Sequence, residues 1–247
     1  MKHGFRVFDT HTHLGAARHS GRTQTVDELL RSMDAYGVDR SVVIPFPVVE
    51  DHRAQHDLIG DAVRIHSDRL IGCACIPPFL PESEFRDELK RCVETWGFKA
   101  LKLQPQYQAL NPVSDRSDFL FAAAAGHKLP VIVHTGTGVP FSLPSLYILK
   151  ARKFPDLSII LGHGGGSVYM HECIVAAEVC ANIYVEVSSL MPHHVTELAA
   201  HVPSSRLLAG SDLIESTAAE FDKILMAPLS PDAKRDILWN TAERLFL

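Results

Sequence analysis

The sequence has no apolar run approaching the roughly 18 residues of a membrane span, and "MKHGFRVFD" at its start carries no signal-peptide core. Neither a membrane nor a secretory route is expected. Basic residues are in the minority. Twenty-four Lys and Arg against 29 Asp and Glu give a formal net charge of −5, which argues against a nucleic-acid binder, usually basic. Cysteine is scarce and odd in number, five in all. Cys73 and Cys75 lie in an apolar run, and Cys92, Cys173 and Cys180 in helix-like stretches. That distribution gives no disulfide framework and fits a reducing, cytoplasmic setting. Two catalytic signatures are also missing. No Gly-x-Gly-x-x-Gly turn follows the first apolar run, which removes the dinucleotide-binding fingerprint. No Gly-x-Ser-x-Gly elbow accompanies the "HGGG" at 163–166, so that segment is not the oxyanion loop of a serine hydrolase. There is no low-complexity tract and no linker.

What is present is alternation. Of 247 residues, 46% are hydrophobic and 21% charged, ordinary values for a globular enzyme. Eight apolar runs read as strands, at Phe5–Phe8, Ser41–Phe46, Leu70–Ile76, Lys99–Leu103, Pro130–His134, Leu157–Gly162, Ile183–Val187 and Leu207–Gly210. A helix-like stretch follows each. "TVDELLRSMDAYG" opens with a capping box, Thr25 with Glu28, and closes on Gly37. Continuous rather than alternating apolar runs imply parallel strands covered on both faces. Eight of them in about 250 residues predict an α/β fold, a (β/α)8 TIM barrel, in one domain spanning 1–247.

In such a barrel chemistry sits at the C-terminal ends of the strands. The first run ends in Asp9, His11 and His13, the fourth carries Lys102 and then Gln104, the fifth ends in His134, the sixth in His163 and the eighth in Asp212. One His-x-His is weak evidence in a chain with 14 histidines. Imidazoles and a carboxylate at four matching strand ends form a set that solvated surface residues would not make. Three His and one Asp suit Zn²⁺, with Mn²⁺, Fe²⁺ or Co²⁺ as other fits. Such an ion lowers the pKa of bound water to about 7. His163 and Asp212 are the candidates to take a proton from that water.

The segments "FDTHTH", "GFKALKL", "VIVHTGTG", "IILGHGGG", "LLAGSD" and "ILWNTAERLF" resemble the amidohydrolase superfamily. They are most similar to its amidohydrolase-2 branch, which includes aminocarboxymuconate-semialdehyde decarboxylase. The resemblance runs over nearly the whole chain and implies a distorted (β/α)8 barrel. It implies that His11, His13, His134 and Asp212 bind one divalent metal and that His163 is the general acid/base. Dinuclear branches of the superfamily carry a carboxylated lysine at the end of strand 4, the position of Lys102. The plainer reading pairs Lys102 with Glu186 in a buried ion pair.

Other residues carry less. Asp9 could orient a liganding imidazole. Gln104, Gln106, Tyr107, Ser188 and Ser189 could bind substrate, and Arg18, His19 and Arg22 could hold a substrate carboxylate. Phe46 and Phe141 could wall the pocket. His52 and His56 have metal-pair spacing but lack the zinc-protease Glu, and read as solvated; His193 and His194 read as the start of a helix. The main reading is a metal-dependent hydrolase of a small polar molecule such as a lactone or amide. The alternative is a decarboxylase or other lyase with the same ligands. A barrel holding metal for structure alone is the third. Short loops predict a small substrate, and a homodimer would complete the pocket.

Overall fold

The computed structural model describes residues 4–247. β1 (Phe8–Ala16) turns back through a two-residue strand, β2 (Thr23–Gln24), into α1 (Val26–Tyr36). Strand and helix then alternate through β3 (Arg40–Pro45), α2 (His52–Ile65), β4 (Leu70–Ala74), α3 (Glu82–Trp96) and β5 (Ala100–Leu103). A short α4 (Pro105–Gln108) and α5 (Asp118–Gly126) lead to β6 (Val131–His134), α6 (Ile148–Lys153) and β7 (Ile159–Gly162). Next come α7 (Gly166–Val179), β8 (Ile183–Glu186), α8 (Pro192–His201), β9 (Leu207–Leu208) and α9 (Thr217–Met226). The chain closes with α10 (Pro231–Arg235), a π-helical turn and α11 (Thr241–Phe246). No helix among the described residues is long and apolar enough to cross a membrane.

The sheet runs β2-β1-β3-β4-β5-β6-β7-β8-β9, and every pair except β1–β2 is parallel. It curls until its ends meet. Thr10 N donates to Ala209 O at 2.9 Å, Asp212 N donates to His11 O at 2.7 Å, and Thr12 bridges Asp212 in parallel. The expected barrel is therefore present, with β2 as a ninth strand that a two-residue hairpin partner gave no periodicity to reveal. The first strand also differs. It occupies 8–16 rather than 5–8, so His11 and His13 lie inside it and not past its end. The polar run "DTHTH" is buried almost completely, which composition alone would not assign to a strand.

Strand parity positions the site. Side chains alternate across a strand, and the barrel interior takes Val42, Ile44, Ile71, Cys73, Ala100, Ile132, Ile160 and Leu208. Two residues further along the same faces stand Lys102, His134, Gly162 and Gly210, with Glu186 two beyond Tyr184. The interior is thus apolar at the N-terminal end and polar at the other. Phe8, Trp239 and Phe246 plug the apolar end, with ring centroids 5.3 and 6.0 Å apart around Phe8. β1 reaches the same arrangement through a bulge: the four residues from Asp9 to Thr12 stand against the three from Ser41 to Val43. The extra residue switches parity. Phe8 points into the apolar plug, and His11 and His13 then point into the site.

The capping box of α1 is as read, with Thr25 N donating to Glu28 Oε2 at 2.8 Å, Glu28 N donating to Thr25 Oγ1 at 3.3 Å, and Gly37 left-handed at φ 69°. His56, read as solvated, is fully buried instead. It packs between α2 and α3, where its Nδ1 meets Glu88 at 2.7 Å and its Nε2 accepts from Cys75 N at 3.0 Å. Helix–helix packing buried it, and no local pattern announces that. All five cysteines are buried and unpaired.

Candidate metal centre and active site

His11, His13 and Asp212 come together at the seam between β1 and β9. His13 Nε2 lies 3.4 Å and His11 Nε2 3.7 Å from Asp212 Oδ1. Two ligands at about 2.1 Å from one ion, at a tetrahedral angle, lie about 3.4 Å apart. The three donors therefore have the spacing that one divalent ion needs. Asp212 holds its carboxylate there in a left-handed conformation, φ 62°, fixed by its own N–H on His11 O. Burial pushes that carboxyl up, but His163, His13 and His11 around it outweigh burial and hold it well below its usual range.

Each imidazole is oriented from behind. His11 Nδ1 is 3.0 Å from Glu186 Oε2, and His13 Nδ1 is 3.1 Å from Pro45 O. His13 also stacks on Phe46 at 5.1 Å. In both rings the Nδ1 contact leaves Nε2 for the shared centre, the usual arrangement of a metal-binding histidine. Burial, reinforced by Lys102, lowers His11 well below the ordinary histidine value, so the ring is neutral and able to donate a lone pair.

Lys102 is fully buried, and its Nζ lies 2.8 Å from His11 Nε2. The expected direct pair with Glu186 is not formed, because the His11 ring stands between them. Burial lowers the Lys102 ammonium, with the Asp212 and Glu186 charges working against it. A cation thus meets the lone pair that a metal would take.

His134 stands at the end of β6 with Nε2 2.8 Å from Thr137 O. It lines the same cavity but does not join the three-donor group. Burial and the Lys102 charge lower it to about 4. His163 lies 4.5 Å from the His11 ring and 4.8 Å from the His134 ring. Its Nδ1 meets Ser188 Oγ at 2.8 Å, and burial drives it well below the usual value despite the Asp212 charge. The backbone turns sharply here, with positive φ at His163 and the three following glycines. Gly166, at φ 57° and ψ 177°, lies where glycine alone goes without strain, and His163 itself takes the left-handed region.

A cavity of about 210 Å³ opens onto this group. His13, His134, His163 and Asp212 lie on it together with Gln104 and Tyr107, and His19, Ser20 and Arg22 reach it from the β1–β2 hairpin. Arg22 is tied to Glu215 at 2.6 Å, and His19 packs on Tyr107 at 4.6 Å. Phe46 is a wall and Phe141 is not. Asp9 reaches no imidazole. It accepts from His11 N at 3.1 Å, Ser211 N at 3.0 Å and Ser211 Oγ at 2.5 Å, tying β1 to the segment after β9. Burial pushes its carboxyl up to about 7. Ser188 faces His163 rather than the cavity, and Ser189 N is held by Glu220. From sequence, Glu186 is expected only as a lysine partner. Its contacts with His11, His163 and Ser188 make it central, and the one signal for that was its inward parity on β8.

The model of the amidohydrolase family, in its amidohydrolase-2 form, matches residues 8–247. This chain belongs to that family. No curated protein matches it in sequence. Solved structures are similar across the full length. An uncharacterised TIM-barrel protein from Bordetella bronchiseptica is 19% identical, covers 98% of each chain and has a TM-score of 0.81. 2,6-Dihydroxybenzoate decarboxylase from Rhizobium is 15% identical over 98% of each chain, with a TM-score of 0.78. 5-Carboxyvanillate decarboxylase from Novosphingobium aromaticivorans, complexed with manganese and 4-hydroxy-3-methoxy-5-nitrobenzoic acid, is 17% identical over 98% of this chain and 96% of its own, with a TM-score of 0.76. At these identities the likeness establishes the barrel fold of this amidohydrolase-2 protein.

Proposed function

We propose that this amidohydrolase-2 protein is a metal-dependent decarboxylase of a small carboxylic acid. The observation that carries the reading is the lining of one cavity. His13 and Asp212 stand in it beside His163, and the hairpin brings the Arg22 guanidinium, paired with Glu215, and the His19 ring to its edge, where they can meet an acid. The sequence shows no arginine at a strand end, and the hairpin loop brings one in. The decarboxylases among the similar solved structures support the same reading.

His11, His13 and Asp212 would hold the ion, with His134 beside them. Bound there, a divalent ion supplies Lewis-acid polarisation of a substrate oxygen and orients the acid. Manganese is named with one of the similar decarboxylases, and Zn²⁺ suits the donors equally. The chain's own residues do the rest. His163 presents Nε2 to the substrate carbon. As the bond to the carboxylate breaks and CO2 leaves, that carbon takes a proton from Nε2. Burial drives His163 well below the usual histidine value, and the Asp212 charge works against burial, toward the protonated ring that this step requires. Tyr107, Phe46 and Pro47 face the cavity beside the polar groups and give it an apolar side.

Hydrolysis of a lactone or amide is the second reading, and burial of His163 supports it, because a neutral imidazole is a base for water. The test uses protein loaded with Mn²⁺ or Zn²⁺. Hydroxybenzoates and other small acids are assayed for CO2 release, and lactones and amides for acid release. CO2 release that His163→Gln abolishes supports the decarboxylase. Acid release with the same dependence replaces it with the hydrolase. No bound metal in the reconstituted wild type overturns both.

A further inference from the structure

Behind the cavity, Glu186 and Ser188 form a buried chain that the proposed chemistry does not itself use. Both are fully buried. Glu186 Oε2 meets His11 Nδ1 at 3.0 Å, His163 N at 3.1 Å and Ser188 Oγ at 2.9 Å. Glu186 Oε1 accepts from Ser188 N at 2.5 Å. Ser188 Oγ then meets His163 Nδ1 at 2.8 Å. His163 Nδ1 and the carboxylate are 4.0 Å apart, with the hydroxyl between them.

A serine hydroxyl has one proton to donate. Glu186 is surrounded by donors, so the carboxylate accepts and the Ser188 proton goes to it. The Ser188 oxygen is left to accept, and the proton it accepts can come only from His163 Nδ1. The same carboxylate accepts from Nδ1 of His11. If Ser188 instead donated to His163, its oxygen would face Glu186 Oε2 at 2.9 Å with no proton between them.

We propose that Ser188 is the positioning residue of His163: with Glu186 behind it, it fixes the ring as the Nδ1–H tautomer and turns a bare Nε2 toward the cavity. One carboxylate thereby sets two imidazoles, His11 directly and His163 through a hydroxyl. A proton entering or leaving His163 does so at Nε2, and the Nδ1 proton stays in place. The role in turnover rests on the reading of His163 as the acid/base, whereas the tautomer does not.

The test is long-range ¹H–¹⁵N correlation on full-length protein with ¹⁵N-labelled histidine, both metal-stripped and loaded with Zn²⁺. His163→Gln assigns the His163 nitrogens by difference. The expected wild-type spectrum shows His163 as Nδ1–H alone. In Ser188→Ala the Nε2–H form becomes measurable, Ser188→Thr restores the single form, and Zn²⁺ content stays at the wild-type level in both. An Nε2–H ring in the wild type overturns the proposal, and needs no variant that might misfold. So does a Ser188→Ala spectrum identical to wild type, or loss of Zn²⁺ in that variant alone, which would make Ser188 a support of the metal site. Failure of the wild type to bind Zn²⁺ sinks the metal-enzyme reading, while the stripped-protein spectrum still decides the tautomer.

Discussion

Asp212 serves the fold and the site with one conformation. Its N–H closes the barrel onto His11 O while its carboxylate sits among three imidazoles. Asp212→Ala should remove the metal, measured by elemental analysis after reconstitution. His163→Gln should leave the metal in place and lower turnover by roughly 10²- to 10⁴-fold, the usual worth of a general acid or base. Equal metal loss in both would make His163 a ligand. Gly210 is a second constraint at this point. A Cβ there would stand 2.6 Å from Glu186 Oε1 and 2.8 Å from the His11 Cβ. Gly210→Ala should cost about 1–3 kcal/mol of stability, the range for overpacking a close-packed site, and weaken metal binding by displacing His11. Urea denaturation alongside metal titration checks both. The inward lysine at 102 was readable from parity, because Ala100 and Gln104 flank it on one face. Its partner was not. Which group a buried lysine meets depends on how strands β1 and β8 stand across the barrel, and His11 stands nearer than Glu186.

The bulge in β1 shows where pattern reading stops. An even spacing of Asp9, His11 and His13 implies one shared face, but the bulge after Asp9 gives the aspartate a different task. The apolar strands and the capped helix α1 were readable because each carries its signal in its own residues, a continuous apolar run or a capping box. β2 was not, since two residues carry no period to read, and the α2–α3 contact was not, since it joins side chains some thirty residues apart. That contact carries its own prediction. Glu88 is buried at the α2–α3 interface and bonded to His56, to Arg91 at 2.8 and 2.9 Å, and to Arg53 at 2.9 Å. Burial pushes its carboxyl up, but the bonds from His56 and Arg91 outweigh it and hold the group well below the ordinary carboxylate range. A lowered pKa in the folded state stabilises the protein above the unfolded value of about 4.3. That contribution is lost as pH falls from there toward the folded value. Glu88→Gln should therefore cost about 3 kcal/mol at neutral pH, as for one partner removed from a buried ion pair. The gap to wild type should narrow below about pH 4. Chemical denaturation at pH 7 and pH 3.5 measures this, and a gap that does not change with pH would remove the charge from the explanation.

The barrel is sealed at one end by Phe8, Trp239 and Phe246 and joined at its seam by few bonds, Thr10 to Ala209 and Asp212 to His11 among them. The three best-placed metal donors straddle that seam, two on β1 and one beyond β9. An ion held there would cross-link the first strand to a segment some two hundred residues later. Ordering ends so far apart is costly in chain entropy, so binding should appear as stability of the whole domain rather than of one loop. At a free metal concentration 100-fold above Kd, linkage gives about 2.7 kcal/mol. For a chain of this size each kcal/mol moves Tm by roughly 2–4 °C. Zn²⁺ or Mn²⁺ added to stripped protein should then raise Tm by about 5–11 °C, and a chelator should reverse it. The same additions to Asp212→Ala or His13→Ala should leave Tm within a degree or so of the stripped value. His134→Ala discriminates further. Its Nε2 is engaged by Thr137 O, outside the three-donor group, so most of the shift should survive its loss. A shift abolished by His134→Ala would mean that metal binding turns this ring inward as a full ligand. A wild-type Tm indifferent to both ions would leave the seam held by its own hydrogen bonds, Asp9 to Ser211 included, and remove the metal from the protein's chemistry.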